Sequence, residues 1–274
     1  MNLKKIFSFI LAAIFLLSTN AYAEKIDHYR EILLSKKYTI KYENITPLPR
    51  TTNKDRVNLF GKDGLAVNTN EYFTNRALTG ILVADGEDHR YQEISYGDFN
   101  QCWLLKNDET FAFTKYKKPK SKNNELEYFG SRKGRVEATP RNYLAELVFG
   151  TSFGDQSMSR VLNAILPDNE KSIDMPRYEF VTAGKLENGT TFEDFKLVPT
   201  ESSEEGKNYG AIRFYFKGNS LEKIAYASYT ISENGTASGE KFIARITEFS
   251  ATPDQSLLNL PSQLKDTTKR DKGK

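Results

Sequence analysis

The stretch Tyr209 to Ile231, YGAIRFYFKGNSLEKIAYASYTI, holds two β-rich runs, Tyr209 to Phe216 and Leu221 to Ile231, on either side of Lys217-Gly218-Asn219. In the first run Ile212, Phe214 and Phe216 fall two apart, so an extended chain puts all three on one face. Gly and Asn accept the left-handed backbone of a tight reversal, and the stretch therefore reads as an antiparallel hairpin.

The pattern repeats on both sides. Tyr178 to Ala183 and Thr190 to Val198 flank Glu187-Asn188-Gly189, and Glu240 to Phe249 follows Glu233-Asn234-Gly235. Asn-Gly between apolar runs is the strongest short-range hairpin signal. Further short β-rich runs lie at Arg56 to Phe60, Gly64 to Asn68, Leu78 to Ala84, Arg90 to Ser95, Gln101 to Lys106 and Thr110 to Lys117. Gly61-Lys62-Asp63-Gly64, Asp85-Gly86-Glu87-Asp88 and Asn107-Asp108-Glu109 supply their turns. Ahead of them Tyr38, Ile40 and Tyr42 alternate with Thr39, Lys41 and Glu43, which predicts a half-buried strand whose second set faces water.

Three segments follow helical spacing instead. Ile26, Tyr29 and Leu33 predict an opening helix that stops near Ser35. Thr139 is an N-cap with Pro140 at the first helical position, Leu144, Leu147 and Val148 form a stripe, and Gly150 is the stop. Met158, Val161, Leu162 and Ile165 predict a third helix, ending before Pro167. About eleven or twelve strands without strand-helix-strand alternation exclude a parallel sheet. The expected fold is mainly β (α+β), a large curved antiparallel sheet or half-barrel with an N-terminal helix and two central helices on its concave face.

The composition fits that expectation. The chain has 274 residues, 38% hydrophobic, with 39 Lys and Arg against 36 Asp and Glu. This balance implies no nucleic-acid partner. Cys102 is the one cysteine, so no internal disulfide exists. Lys4 and Lys5, an apolar run from Ile6 to Leu17 and then Ala21-Tyr22-Ala23 read as a secretory signal peptide cleaved after Ala23. Its loss leaves 37 cationic residues against 36 acids. The apolar run is shorter than the roughly 20 residues of a membrane span, and no cysteine at the junction offers a lipid anchor. The expected organisation is a signal peptide at 1–23, one domain at 24–264 and a disordered charged tail at 265–274. The product is expected to be soluble and periplasmic or secreted, in a bacterial envelope.

Catalytic signals are few. Gly150-Thr151-Ser152-Phe153-Gly154 satisfies the G-x-S-x-G elbow of secreted serine hydrolases, which places the histidine base after the serine in the chain. Both histidines, His28 and His89, precede Ser152, and a helix connection with two glycines is the better account. Asp85, Glu87, Asp88 and His89 offer oxygen and imidazole ligands, but neighbours in one turn point in different directions. No zinc, calcium-loop or phosphate-cradling motif occurs, so no metal, cofactor or nucleotide is expected. Glu193 and Asp194 are adjacent on a strand and face opposite sides, which prevents them from flanking one bond. The run Lys115, Lys117, Lys118, Lys120, Lys122 is a basic loop suited to an envelope partner or to keeping a hairpin end soluble.

Aromatic loading is heavier. Of 18 Phe, 15 Tyr and 1 Trp, 30 follow Ala23, and many sit at alternating positions. Trp103, Phe111, Phe113, Phe214 and Phe216 are the expected wall of an apolar cavity under incompletely covering helices, the other reading being a solid core.

The entry Tyr29-Arg30-Glu31-Ile32-Leu33-Leu34-Ser35-Lys36-Lys37-Tyr38-Thr39-Ile40-Lys41-Tyr42 and the close, Leu221-Glu222-Lys223-Ile224-Ala225-Tyr226, Ile246-Thr247-Glu248-Phe249 and Leu260-Pro261, carry a further signal. In the order of their elements they resemble the LolA-like and LppX-like periplasmic lipoprotein carriers, exported half-barrels with helices in the mouth. The resemblance covers about a quarter of the chain and leaves Tyr128 to Asp174 as an extra region. It implies a non-enzymatic protein that binds a lipid, or the acyl chain of a lipoprotein, and passes it between envelope membranes, where a membrane protein is a possible partner. The alternatives are an envelope interaction module with a solid core and a serine hydrolase using Ser152.

Overall fold

The computed structural model describes residues 24–45, 56–58, 66–68, 71–73, 79–95, 99–107, 109–117, 126–135, 156–167, 177–198, 207–231 and 237–266. Helix α1 (Glu24–Leu34) leads into β1 (Lys37–Asn44), β2 (Arg56–Asn58), β3 (Ala66–Asn68), β4 (Glu71–Phe73), β5 (Thr79–Asp85), β6 (His89–Ser95), β7 (Phe99–Lys106), β8 (Glu109–Lys117) and β9 (Leu126–Arg135). Helix α2 (Gln156–Ala164) then precedes β10 (Tyr178–Lys185), β11 (Thr191–Leu197), β12 (Lys207–Lys217), β13 (Ser220–Ile231), β14 (Ala237–Ser250) and β15 (Leu264–Asp266).

Twelve strands form one open, curved path in the order β10-β11-β12-β13-β14-β1-β5-β6-β7-β8-β9-β15, with β4 beside β14 as a thirteenth. Strands β2 and β3 pair apart from it. All pairings in the large sheet are antiparallel except β4 with β14 and β15 with β9. The mainly β, single-sheet expectation holds. Two meanders, β5 to β9 and β10 to β14, share β1 as their common neighbour, so both halves of the chain build the same sheet.

Strand β1 earns that position by its side chains. Tyr38, Ile40 and Tyr42 are buried on the face covered by helices. Tyr42 lies over Gly80 of β5, where an added Cβ would sit 2.1 Å from the phenol ring, and it packs edge-on against Phe242. Thr39, expected at the surface, is fully buried. The chain after β14 folds back over it, so that Thr39 Oγ1 donates to the Thr252 carbonyl at 2.8 Å and accepts from the Asp254 amide at 2.8 Å.

Both described helices pack on one face of the sheet. Ile26, Tyr29, Ile32 and Leu33 of α1 join Met158, Val161 and Leu162 of α2 and the strand residues Ile212, Phe214, Phe216, Ile224, Tyr226, Phe242 and Ala244 in one core. Each such large apolar side chain contributes about 1.5–3 kcal/mol on burial. Tyr29 also ties α1 to the β12–β13 turn: its hydroxyl donates to the Asn219 carbonyl at 2.9 Å and accepts from the Leu221 amide at 2.7 Å. Arg30 joins the helices by donating to the Ile165 carbonyl just beyond α2. The expected helix after Thr139 lies outside the described residues.

The opposite face has its own core. Val83, Tyr91, Cys102, Leu104 and Phe113 are buried with Leu258 of the returning segment, and Leu257, Leu260 and Leu264 pack against them. One expectation changes here. Residues 128–135, the start of the region that the resemblance leaves as extra, lie in β9, which pairs with β8 from Lys117↔Leu126 to Glu109↔Arg135. The charged tail does not begin at Lys265, since Lys265 and Asp266 extend β15 beside β9 and Lys265 Nζ binds Glu127 Oε1 at 3.0 Å.

Gly130 of β9 allows no side chain: a Cβ there would fall 2.3 Å from both the Ala112 carbonyl oxygen and the Phe113 Cβ. Gly130→Ala is predicted to lower stability by about 1–3 kcal/mol, because β9 must move away from β8. Urea unfolding followed by circular dichroism measures this, and an unchanged midpoint contradicts the β8–β9 register.

Candidate functional site

The cross-strand register assigns each expected wall residue to a face. Trp103 pairs with Ala112 on β8, so Phe111 and Phe113, one residue to either side, point the other way. Phe214 and Phe216 lie on the helix face, as does Trp103, whereas Phe111 and Phe113 belong to the core beneath the returning C-terminal segment. The five residues therefore do not line one wall. Alternation within a strand sorts its own residues by face, but no sequence signal ties the face of β8 to that of β7.

The helix face is itself divided. Over β11 to β14, Phe195, Phe214 and Phe216 pack with the helices, Phe195 edge-on to Phe214 at 5.5 Å and Phe216 beside Tyr29 at 6.1 Å. The described side chains of this half are buried against one another. Over β6 to β8, Ile94 and Trp103 form a separate apolar cluster with Ala112. The same face carries Arg90 and Gln92 of β6 and Thr110 of β8, all buried. Apolar surface with a few fixed polar groups is the usual lining of a small-molecule site. This patch around Trp103 is the candidate ligand surface, and its polar members had no motif to announce them.

On the other face a compact polar cluster surrounds Glu93. Its carboxylate accepts from the Tyr91 hydroxyl at 2.5 Å, from Asn100 Nδ2, and from Lys115 Nζ at 3.0 and 3.3 Å. Burial works against the Lys115 ammonium, but Glu93 outweighs it and holds the lysine above its ordinary pKa. Lys115 is therefore a half-buried partner of Glu93; residues 118–125 of the basic run lie outside the described residues. Cys102 sits in the same cluster, 3.4 Å from the Tyr91 hydroxyl, and burial together with the Glu93 charge pushes its thiol up to about 12.

A second buried pair lies on that face of the other meander. Arg213 Nε and Nη2 donate to the two carboxylate oxygens of Asp194 at 2.6 and 2.7 Å, and the Phe192 ring lies 4.1 Å from the guanidinium carbon. Burial raises Asp194 above its ordinary value even against the pull of Arg213. Glu193 faces the helices instead, so the adjacent carboxylates are on opposite sides as their alternation requires.

Ser152 lies outside the described residues. His28 is exposed on α1 and rests edge-on to Tyr29, and His89 Nδ1 meets Asp88 Oδ1 at 3.2 Å. The acids of the β5–β6 turn are taken up separately, Glu87 by Lys36 and Asp85 by Gln255 and Lys37. Among the described residues no group of three or more His, Cys, Asp or Glu is placed to hold a metal ion. None of the described helices is long and apolar enough to cross a membrane.

No family model matches the chain, and no curated protein or solved structure is found similar to it. The functional reading therefore rests on its own residues.

A thiol with so high a pKa is almost wholly protonated at neutral pH, and the thiolate is the reactive form. Native protein at pH 8 is predicted to resist alkylation of Cys102 by iodoacetamide, while protein in 8 M urea is labelled completely. Rapid labelling of the native protein contradicts this placement of Cys102.

Proposed function

We propose that the chain is an exported, non-enzymatic carrier that shelters a lipid or the acyl chain of a lipoprotein on the helix face of its sheet. The observation that carries the reading is the split of that face. Helices α1 and α2 complete the core over β11 to β14, while the Ile94, Trp103 and Ala112 cluster over β6 to β8 is separate from it. An acyl chain laid along this wall would bury its methylenes against Ile94, Trp103 and Ala112.

The resemblance to LolA-like and LppX-like carriers supports the same reading through the order of elements, a helix entering β1 and the late strands returning beside it. The Lys-led apolar segment before Ala21-Tyr22-Ala23 supports export to the periplasm or beyond. An acyl chain offers area and shape and little else to recognise, so selectivity for chain identity is expected to be low. The buried Arg90 and Gln92 beside Trp103 give the site a polar end for a head group.

The test is mass spectrometry of organic extracts of freshly purified protein, with titration of a fluorescent fatty acid. Copurifying lipid and saturable uptake are expected. Trp103→Ala is predicted to weaken uptake by about tenfold, the loss of one buried aromatic contact surface worth about 1.4 kcal/mol. Phe113→Ala, on the other face, is predicted to leave uptake within about twofold once stability is matched. Equal losses from the two variants, or no lipid and no uptake, contradict the proposal.

A further inference from the structure

One buried carboxyl on the helix face lies apart from the Trp103 patch. Glu193 of β11 is 2% exposed, and among the described residues neither of its carboxylate oxygens completes a well-aligned hydrogen bond. Its cross-strand neighbours, Ala183 of β10 and Phe214 of β12, bring no charge. What faces it is the first turn of α1: the amides of Ile26 and Lys25 point toward it, and the charges near it from that helix are Lys25 and Asp27. Lys25 does not neutralise it directly, since its Nζ donates to Thr191 Oγ1 at 2.9 Å and to the Gly218 carbonyl at 2.7 Å. Burial pushes the Glu193 carboxyl up to about 7; the two amides and the Lys25 ammonium oppose the rise and Asp27 adds to it.

Helix α1 begins at Glu24, the residue that follows Ala21-Tyr22-Ala23. The first amides of a helix leave its end side by side and unbonded within it. The nitrogen of Glu24 therefore belongs to the same crown as those of Lys25 and Ile26, which already face Glu193.

We infer that Glu193 is the receptor for the new N terminus of this chain: once the bond after Ala23 is cut, the α-ammonium of Glu24 pairs with the Glu193 carboxylate and fixes α1 on the sheet. The inference rests on the export part of the proposed function and not on the lipid. Hydrolysis of the Ala23–Glu24 amide by a signal peptidase consumes one water, leaves a carboxylate on Ala23 and an amine on Glu24, and the amine takes up a proton below its pKa of about 8. Before the cut that nitrogen is a neutral amide, and among the described residues the nearby cation is Lys25, which is held by Thr191 and Gly218. After it, the Glu193 anion has a cation and the positive end of the helix dipole beside it; the ammonium is repelled by that dipole end, and its pairing with the buried carboxylate outweighs the repulsion.

The pH dependence has a definite direction. With the terminus blocked, the folded pKa of Glu193 lies above the unfolded value, so its ionisation opposes folding and stability falls as the pH rises toward 7. With the terminus free, the pairing lowers the carboxyl by about one to three pH units and this loss is removed.

The experiment compares protein made to begin at Glu24 with the same chain acetylated on its α-nitrogen, each as wild type and as Glu193→Gln. Glu193 is followed by 13C NMR of its carboxyl, and stability by urea unfolding at pH 7. The expected result is a Glu193 midpoint near 7 in the acetylated chain and at least about one unit lower in the free one. Acetylation should destabilise the wild type and leave Glu193→Gln unchanged or slightly more stable, since there it removes only the repulsion between the ammonium and the helix dipole. A midpoint near 7 with either terminus, or equal effects of acetylation in both backgrounds, overturns the inference. Should Glu193→Gln fail to fold, the NMR midpoints in the wild-type sequence decide alone. N-terminal sequencing of the chain recovered from a bacterial host checks the premise separately: a start other than Glu24 overturns the inference through export, whereas absent coupling in protein that begins at Glu24 overturns it with export intact.

Discussion

Strand β1 is hydrogen-bonded along both edges, to β5 from Lys37↔Asp85 to Glu43↔Thr79 and to β14 from Thr39↔Ser250 to Asn44↔Ala244. The second contact joins residues about 200 positions apart, and closing so long a loop costs chain entropy that local turns never incur. The gain that offsets it is on both faces at once. Tyr38, Ile40 and Tyr42 enter the core that the helices complete, and Thr39 anchors the segment that roofs the other face. Without β1 each meander would end in an unpaired central edge, and α1, which reaches the sheet one short turn before β1, would lose its place over β12 and β13.

This junction explains why the sheet has two cores and not one. The returning chain after β14 is held by Thr39 and by Lys41, whose Nζ meets Glu248 at 2.9 Å and Asp254 at 3.7 Å. It then lays Leu257, Leu258 and Leu260 over the face that carries Tyr91, Cys102, Leu104 and Phe113. An antiparallel sheet in this position is usually wet on one side. Here the second side is dry enough to bury Glu93, which survives there because Tyr91, Asn100 and Lys115 supply its hydrogen bonds. On the helix face α1 and α2 share one core with residues of β11 to β14.

Much of this architecture was written in local patterns. Period-two alternation located β1, β5 to β8 and β10 to β14 within a few residues, and the Gly and Asn turns made their neighbours antiparallel. Helical spacing found α1 and α2. The stretch LEYFGSRKGR of β9 carries no strand pattern, because Gly130 and a run of charges break the alternation; its place is fixed by the close approach of its backbone to Ala112 and Phe113, a tertiary fact. The same limit separates Phe111 and Phe113 from Trp103. Each pair of positions shows which residues share a face within a strand, but only the register Trp103↔Ala112 relates one strand to the next. Buried Thr39 and Glu93 were illegible for another reason: polar residues on the outward half of an alternation look solvated until a non-periodic segment such as Thr252–Leu260 is seen to cover them.

The union of both meanders through β1 is tested most directly by native-state hydrogen exchange. If β1 is the shared central strand, the amides of Tyr38, Ile40 and Tyr42 exchange only through global unfolding, at the same free energy and with the same urea dependence as Ile212 and Ile224 in one meander and Leu82 and Leu104 in the other. Two groups of amides with different free energies, divided between residues 79–135 and 178–250 with β1 following one or neither, would contradict the account.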